Sequence, residues 1–313
     1  MAQSIRLVDP LEIKPNPENP RLVFRASELL ELQESIQSQG ILVPLTVYET
    51  AKGLFILDGE RRWRCATKLG LTHVPVVVQP EPTRLQNIMM MFAIHHQRRE
   101  WDPLPTAYKL RDLEEEFAER QGRRPKESEL AQIASMSRGE VRRLKKLLAL
   151  PQEYHDELID ELEKPRSEQR VTVDHVLEVT KAASSIRNRG IIDKGEEDQL
   201  RKALLQKFRS DVITNTVEPR KLARIARAVH REEVPTAAAR LVVRRLIDEP
   251  SYTIDAAFKS SVERADFEHS AEQLVDRVTD RLGELRQRGF DSSSSLAPAL
   301  RRLMSLLRDL LQE

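Results

Sequence analysis

The sequence predicts an α+β domain followed by two all-α regions. Residues 1 to about 80 hold short, alternating, β-branched runs punctuated by Pro and Gly. From Thr83 onward the pattern is helical almost throughout, with Pro103, Pro125, Pro151, Pro165, Pro219, Pro235, Pro250 and Pro298 at helix starts or between helices. At 313 residues the chain is long enough for two or three cores. Boundaries are expected near 97/98, where Arg98-Arg99-Glu100 precede Trp101-Asp102-Pro103, and near 187/188, in the polar stretch IRNRGIIDKGEED. The expected regions are therefore 1–97, 98–187 and 188–313, with no repeat of fixed period.

Four strands are expected in the first region, at Ser4–Asp9, Leu45–Glu49, Phe55–Asp58 and Val74–Gln79. Between them Ala26–Gln39 reads as a helix. Leu29, Leu30, Leu32 and Ile36 recur near helical spacing, Ser27 is the expected N-cap and Gly40 the expected C′ residue. A second helix should begin at Gly59 and end before Gly70.

With a net charge of +1, bulk charge does not make this chain a polyanion binder, so any nucleic-acid surface must come from local segregation of charge. Aromatics at 4% argue against an extensive base-stacking platform. A single cysteine, Cys65, excludes an intrachain disulfide framework and fits a reducing cytoplasm. The opening MAQSIRLVDPLEIKP lacks the apolar run of a signal peptide, and no stretch approaches a membrane span; a cytoplasmic protein is expected.

Phe55–Arg64 runs from an apolar strand into a helix start carrying Arg61, Arg62 and Arg64. A helix N-terminus presents unpaired N–H groups and partial positive charge, Gly59 permits close backbone approach, and guanidinium groups grip phosphate oxygens in pairs. The segment reads either as an oxyanion site or as a solvated helix start in which Glu60 pairs with the arginines.

Glu127–Leu150 has the layout of a helix-turn-helix. Leu130, Ala131, Ala134, Met136, Val141 and Leu144 lock two helices together. Ser135 stands at the turn where glycine is common, and Ser137 with Glu140 forms a capping box. The second helix concentrates Arg138, Arg142, Arg143, Lys145 and Lys146 against one acid, Glu140, as a major-groove helix requires; an amphipathic core helix with a solvated basic face is the alternative. Ser137 and these five cations are expected at DNA. Arg138 and Arg142 should read base edges, while Arg143, Lys145 and Lys146 serve phosphates.

Further on, Arg220, Lys221, Arg224, Arg227 and Arg231 form a basic face opposite Leu222, Ile225 and Val229. It reads as a solvated face or as a second DNA-backbone surface. Val275, Val278, Leu282 and Leu285, then Leu300, Leu303, Leu307 and Leu310, keep 3-4-3 spacing on either side of the break at Gly289–Ser295. Such a hairpin needs a partner, either residues 196–247 or a second protomer.

Four ordered segments resemble the ParB family. They are the turn Ile13–Arg21, the stretch Glu31–Val47 with Gly40-Ile-Leu42 and Pro44, the box Gly59-Glu-Arg-Arg-Trp-Arg-Cys-Ala66, and Lys68–Val78. Pro103–Tyr108 and Leu147–Glu153 resemble the family's segments flanking its helix-turn-helix. The resemblance implies a ParB/sulfiredoxin-like first domain that binds CTP, with Gly40, Gly59, Glu60, Arg61, Arg62, Arg64 and Arg98 at the nucleotide. It also implies double-stranded DNA, a homodimer joined through the C-terminal region and a partition ATPase as partners, with nucleoid or plasmid association and no membrane.

The sequence departs from the family's pattern at Val43, where the family has glutamine, and at Ile94 and His95, where it has the Glu and Asn that hold Mg²⁺. An aliphatic chain cannot ligate a hard cation and imidazole is a poor Mg²⁺ ligand, so Mg²⁺ binding and any CTPase activity are expected to be weak or absent. His95 and His96 point about 100° apart on a helix and do not converge on one metal. Two other functions fit the same scaffold: a transcription regulator with a degenerate pocket, and an enzyme such as a sulfiredoxin-like reductase. The latter needs a reactive cysteine beside the phosphate-binding arginine, whereas Cys65 lies further along the helix.

Overall fold

The computed structural model describes residues 4–95, 102–289 and 295–311. The chain divides into two compact units, Met1–Lys181 with Arg201–Val217, and Ala182–Leu200 with Glu218–Glu313.

The first unit opens with a five-stranded sheet. Its strands are β1 (Ile5–Val8), β2 (Ile13–Lys14), β3 (Leu45–Thr50), β4 (Gly53–Asp58) and β5 (Val74–Gln79), in the order β1-β5-β3-β4-β2. β1–β5 and β3–β4 pair antiparallel, while β3–β5 and β2–β4 pair parallel. Three helices belong to the sheet: α1 (Ala26–Gln39), α2 (Glu60–Lys68) and α3 (Arg84–His95). On one face Leu45, Val47, Ile56, Val74 and Val76 are buried against Ala66 and Trp63 of α2. On the other, Tyr48 and Leu57 meet Met90, Met91 and Ile94 of α3.

The turn before α1 is pinned to α3 by a buried amide pair. Asn16 donates to Asn87 at 2.8 Å and Asn87 returns a bond at 3.0 Å. The expected cap at Ser27 is corrected: α1 starts one residue earlier, the N-cap position is Arg25, and no side chain caps it. Gly40 ends α1 as expected, at φ +70°.

The helical part of this unit contains α4 (Pro103–Gln121), α5 (Glu127–Ile133), α6 (Arg138–Leu148) and α7 (Gln152–Glu163), with α8 (Val173–Asn188) up to Lys181 and α9 (Lys194–Arg209) from Arg201 onward. The expected boundary at 187/188 falls inside α8, and residues 201–217, expected with the C-terminal region, group with the first unit. The reason is packing. Leu204, Leu205 and Phe208 are buried, Phe208 stacks on His175 at 4.1 Å, and Lys202 and Arg209 pair with Glu153 and Glu157 of α7.

The second unit holds α10 (Arg220–His230), α11 (Thr236–Asp248), α12 (Ile254–Ser261), α13 (Glu263–Arg288) and α14 (Ala297–Leu311). Leu222, Ile225 and Val229 of α10 are buried; on its basic face Lys221 pairs with Asp255 and Arg224 lies over Phe258 at 4.7 Å. Val275 and Leu310 are 54% and 69% exposed, so at these positions the stripes are not covered by the rest of the second unit. Val278, Leu282 and Leu285 line a shallow groove with Leu296. The polar break between the two helices lies largely outside the described residues. No helix among those described is long and apolar enough to cross a membrane.

Candidate functional site

Two groups of arginines are candidates. The first surrounds the start of α2. Gly59 is its N-cap at φ +96°, a conformation costly for any residue with a Cβ. A Cβ there would stand 2.6 Å from Leu45 Cδ2 and 3.0 Å from an Arg62 nitrogen. Glycine is therefore required twice over, by backbone angle and by space.

Arg62 donates to the carbonyls of Val43 and Pro44 and pairs with Asp58 at 3.2 Å, fastening the Gly40–Pro44 loop to the end of β4. Glu60 is buried; it accepts from Asn19 at 2.6 Å and from Arg64 at 2.9 and 2.6 Å. Arg64 also lies over the Phe24 ring at 3.9 Å. Arg61 donates to the Glu28 carbonyl at 2.8 Å, and its Nε is buried without a hydrogen-bond partner. Gly40, Gly59, Glu60, Arg61, Arg62 and Arg64 thus share one neighbourhood. Arg98, expected with them, lies outside the described residues, as do Gln97 and His96.

The donor set fits a phosphate better than a metal. An unsatisfied buried guanidinium nitrogen and a helix N-terminus both favour an anion. Ile94, at one of the family's metal positions, packs into the apolar cluster with Tyr48 and Leu57. Among the described residues no three His, Cys, Asp or Glu side chains come together to hold a metal ion. Cys65 is fully buried, and burial pushes its thiol pKa up against the pull of Arg61 and Lys68; it is a packing residue, not a nucleophile.

Arg21, Arg25, Phe24 and Glu28 also crowd this place, and they are absent from the residues expected at the nucleotide. Arg21 pairs with Glu28 at 2.8 Å and lies over Phe24 at 5.1 Å. The turn pattern Asn19-Pro20-Arg21 was the available signal for Arg21; Arg25 and Glu28 had none.

The second group is on α6. Leu130, Ala131, Ala134, Val141 and Leu144 are buried as the helix-turn-helix pattern requires, while Met136 is half-buried. Ser135 makes the turn at φ +54°, the left-handed conformation expected of that position. Ser137 accepts from Glu140 N at 3.1 Å and Glu140 accepts from Ser137 N at 2.9 Å, completing the capping box.

Arg138 and Arg142, with side chains 64% and 55% exposed, both reach Glu127 of α5, at 3.5 and 2.8 Å. The Arg142 guanidinium, with help from Arg138, holds the Glu127 carboxyl below the ordinary range. Arg143 pairs with Asp174 at 2.7 Å and Lys145 with Glu114 at 3.0 Å, and Lys146 is exposed. A groove of about 590 Å³ runs between α6 and α8, lined by Arg142, Arg143, Lys146 and Lys181 beside Asp174 and Glu178.

Comparison with known proteins covers the segment that carries the first group. Residues 1–93 match the ParB N-terminal domain. That match covers the sheet and the start of α2, and the similarity to ParB proteins extends beyond it. The chain is 34% identical over 149 residues to a probable chromosome-partitioning protein ParB of Xylella fastidiosa, covering 47% of this chain and 46% of that protein. Two crystal structures of C-terminally truncated chromosome-partitioning protein ParB from Caulobacter crescentus are also similar. The one complexed with CTP-gamma-S is 32% identical over 50% of this chain and 85% of that chain, with a TM-score of 0.29. The one complexed to the centromeric parS site is 26% identical over 71% and 98%, with a TM-score of 0.43. TM-scores below 0.5 say nothing about the arrangement of this chain. The chain spans about half the length of the curated ParB relatives it matches.

Proposed function

We propose that this chain is a partition-type protein of the ParB family that recognises a DNA site through α6 and is gated by a nucleoside triphosphate, CTP first, at the start of α2. The observation that carries the DNA half is the capped helix α6, with Arg138 and Arg142 exposed and held side by side by one carboxylate. Surface ion pairs of this kind are weak and exchange readily for phosphate or a guanine edge. Arg143, Lys145 and Lys146 serve the backbone, and Ser137 presents the helix start to it.

The nucleotide half is supported by the helix start at Gly59, the unsatisfied Nε of Arg61 and the CTP-gamma-S complex of the Caulobacter crescentus ParB. When bound, the triphosphate supplies concentrated negative charge. Arg61 and the α2 N-terminus hold it, and Arg62 keeps the Gly40–Pro44 loop in place beside it. Gating means that two first domains close around DNA. Two protomers join through the open stripes of α13 and α14, for which sedimentation of a chain lacking residues 268–313 is the check. A partition ATPase is the proposed partner, and the nucleoid or a plasmid the proposed location.

Calorimetry with CTP on the full chain and on Arg61→Ala, with and without DNA, tests this reading beside a phosphate-release assay. Removing one charge-assisted contact should weaken CTP binding by about 1.5–3 kcal/mol. Little turnover is expected, because Ile94 is committed to the apolar cluster. Absence of any nucleotide binding would leave a plain DNA-binding regulator on the same scaffold.

A further inference from the structure

One residue in the first unit gathers guanidinium groups from three directions. Glu28, in the first turn of α1, pairs with Arg21 at 2.8 Å, Arg25 at 3.4 Å and Arg166 at 3.7 Å. Its own carbonyl accepts from Arg61 of α2 at 2.8 Å. The Arg21 and Arg25 side chains are only 12% and 11% exposed.

Arg25 extends further. It donates to the Leu162 carbonyl at 3.2 Å, at the C-terminal end of α7, where carbonyls lack intrahelical partners. Arg166 follows the same helix end. Glu28 therefore ties the start of α1 and the start of α2 to the end of α7, the helix immediately after the helix-turn-helix. Within this knot the Nε atoms of Arg25 and Arg61 are buried with no hydrogen-bond partner. Two of its cations thus hold unused donors pointed into a place that is already short of acceptors.

We propose that Glu28 is a resident anion standing in for polyphosphate, and that exchanging it for a nucleotide's phosphates releases α7 from the nucleotide domain. The inference rests on the nucleotide reading above and adds to it a residue-level link to the DNA-binding half. A triphosphate offers more charge and more acceptor oxygens than one carboxylate, and can fill the idle Nε donors as well. Arg21 and Arg25 cannot serve the Glu28 carboxylate and a phosphate with the same nitrogens, nor can Arg61 so serve the Glu28 carbonyl and a phosphate, so the two states exclude each other. Once they turn to phosphate, the Glu28 carboxylate loses its cations and the Leu162 carbonyl loses its donor. A partly buried anion left without partners is costly, so the contact with α7 opens. Binding and release are then coupled: whatever weakens the Glu28 contact must strengthen nucleotide binding by the same factor.

The test is amide hydrogen exchange over residues 158–170 of the full chain, with calorimetry alongside. CTP is expected to raise exchange there, and inorganic tripolyphosphate to do the same, because charge rather than the base drives the swap. Glu28→Gln should show raised exchange without ligand and bind CTP about tenfold tighter, within the usual range of coupling. Arg166→Ala, a change at an exposed side chain, should also raise exchange in this segment. CTP binding with unchanged exchange at 158–170 overturns the proposal, as does a response to CTP but not to tripolyphosphate, or unchanged or weaker CTP affinity in Glu28→Gln. Failure of wild type to bind either CTP or tripolyphosphate is a different result: it removes the nucleotide reading, and this inference falls with it.

Discussion

The arginines of α2 and those of α6 are alike in sequence and opposite in setting. Arg62 spends its donors on two carbonyls and Asp58 and is 18% exposed, while Arg61 gives one bond to a carbonyl and keeps its Nε idle. Arg138 and Arg142 stand out in solvent and share one surface carboxylate. A guanidinium that fastens backbone is part of the fold, and changing it changes stability. One that meets only a surface acid is free to change partner, and changing it alters binding alone. Basic residues on a short helix therefore do not have one meaning; their partners decide it.

The largest expected effect is at Gly59. In Gly59→Ala a Cβ meets Leu45 and Arg62 at φ +96°, so strain and overpacking together should cost about 2–4 kcal/mol. Denaturant titration checks it, and a loss under about 0.5 kcal/mol would show that the packing at Gly59 is looser than the structure has it.

Next comes the paired test of the two arginine settings. Arg62→Ala removes the donor to two carbonyls and the pairing with Asp58 and should cost about 1.5–3 kcal/mol of stability. Arg142→Ala should change stability by no more than about 0.5 kcal/mol, yet cost about 1–3 kcal/mol of site-specific DNA affinity and relax specificity. The distinction breaks if Arg142→Ala melts as early as Arg62→Ala, or if neither variant touches DNA binding.

What was legible in the sequence follows the same division. Local signals were read well. α1 spans Ala26–Gln39 as expected, Gly40 ends it, Ser135 takes the left-handed turn, and Ser137 with Glu140 closes the capping box. These depend on residues within four positions of one another. Three features were not legible. β2 is two residues long and exists only because β4 offers it an edge. The cap at Ser27 failed because α1 starts before it, at a position with no side-chain cap. The Glu28 knot depends on Arg61 and Arg166 and, through Arg25, on a carbonyl 137 residues away. No period or spacing encodes such contacts.

Smaller again is the effect of the cap on the recognition helix. Ser137→Ala removes the acceptor for Glu140 N and should cost about 1 kcal/mol. If α6 is held mainly by Val141, Leu144 and Leu147 in the core, DNA affinity should fall by no more than this loss of order implies. A far larger drop, measured beside thermal unfolding, would give Ser137 a direct contact with DNA.

The smallest effect is set by pH on α5, the other helix of the motif. Glu129 accepts from Arg123 at 2.7 Å and from Lys126 N at 2.7 Å, which lowers its pKa from the ordinary 4.5 to about 2. A carboxylate with a depressed folded-state pKa contributes stability that is fully present above its unfolded value. That contribution fades as pH falls from about 4.5 toward about 2. Because the group is at the surface and open to solvent screening, the effect should be modest and should shrink with added salt. Thermal unfolding of wild type and Glu129→Gln should therefore differ slightly at pH 6, and the two should draw together as pH falls toward 3. The contrast with α2 gives the result its meaning. Glu60 is buried between Asn19 and Arg64, whereas Glu129 has bulk water beside it. Curves that stay equally far apart from pH 6 to pH 3 would mean that Glu129 acts through packing, and that its depressed pKa contributes nothing to the fold.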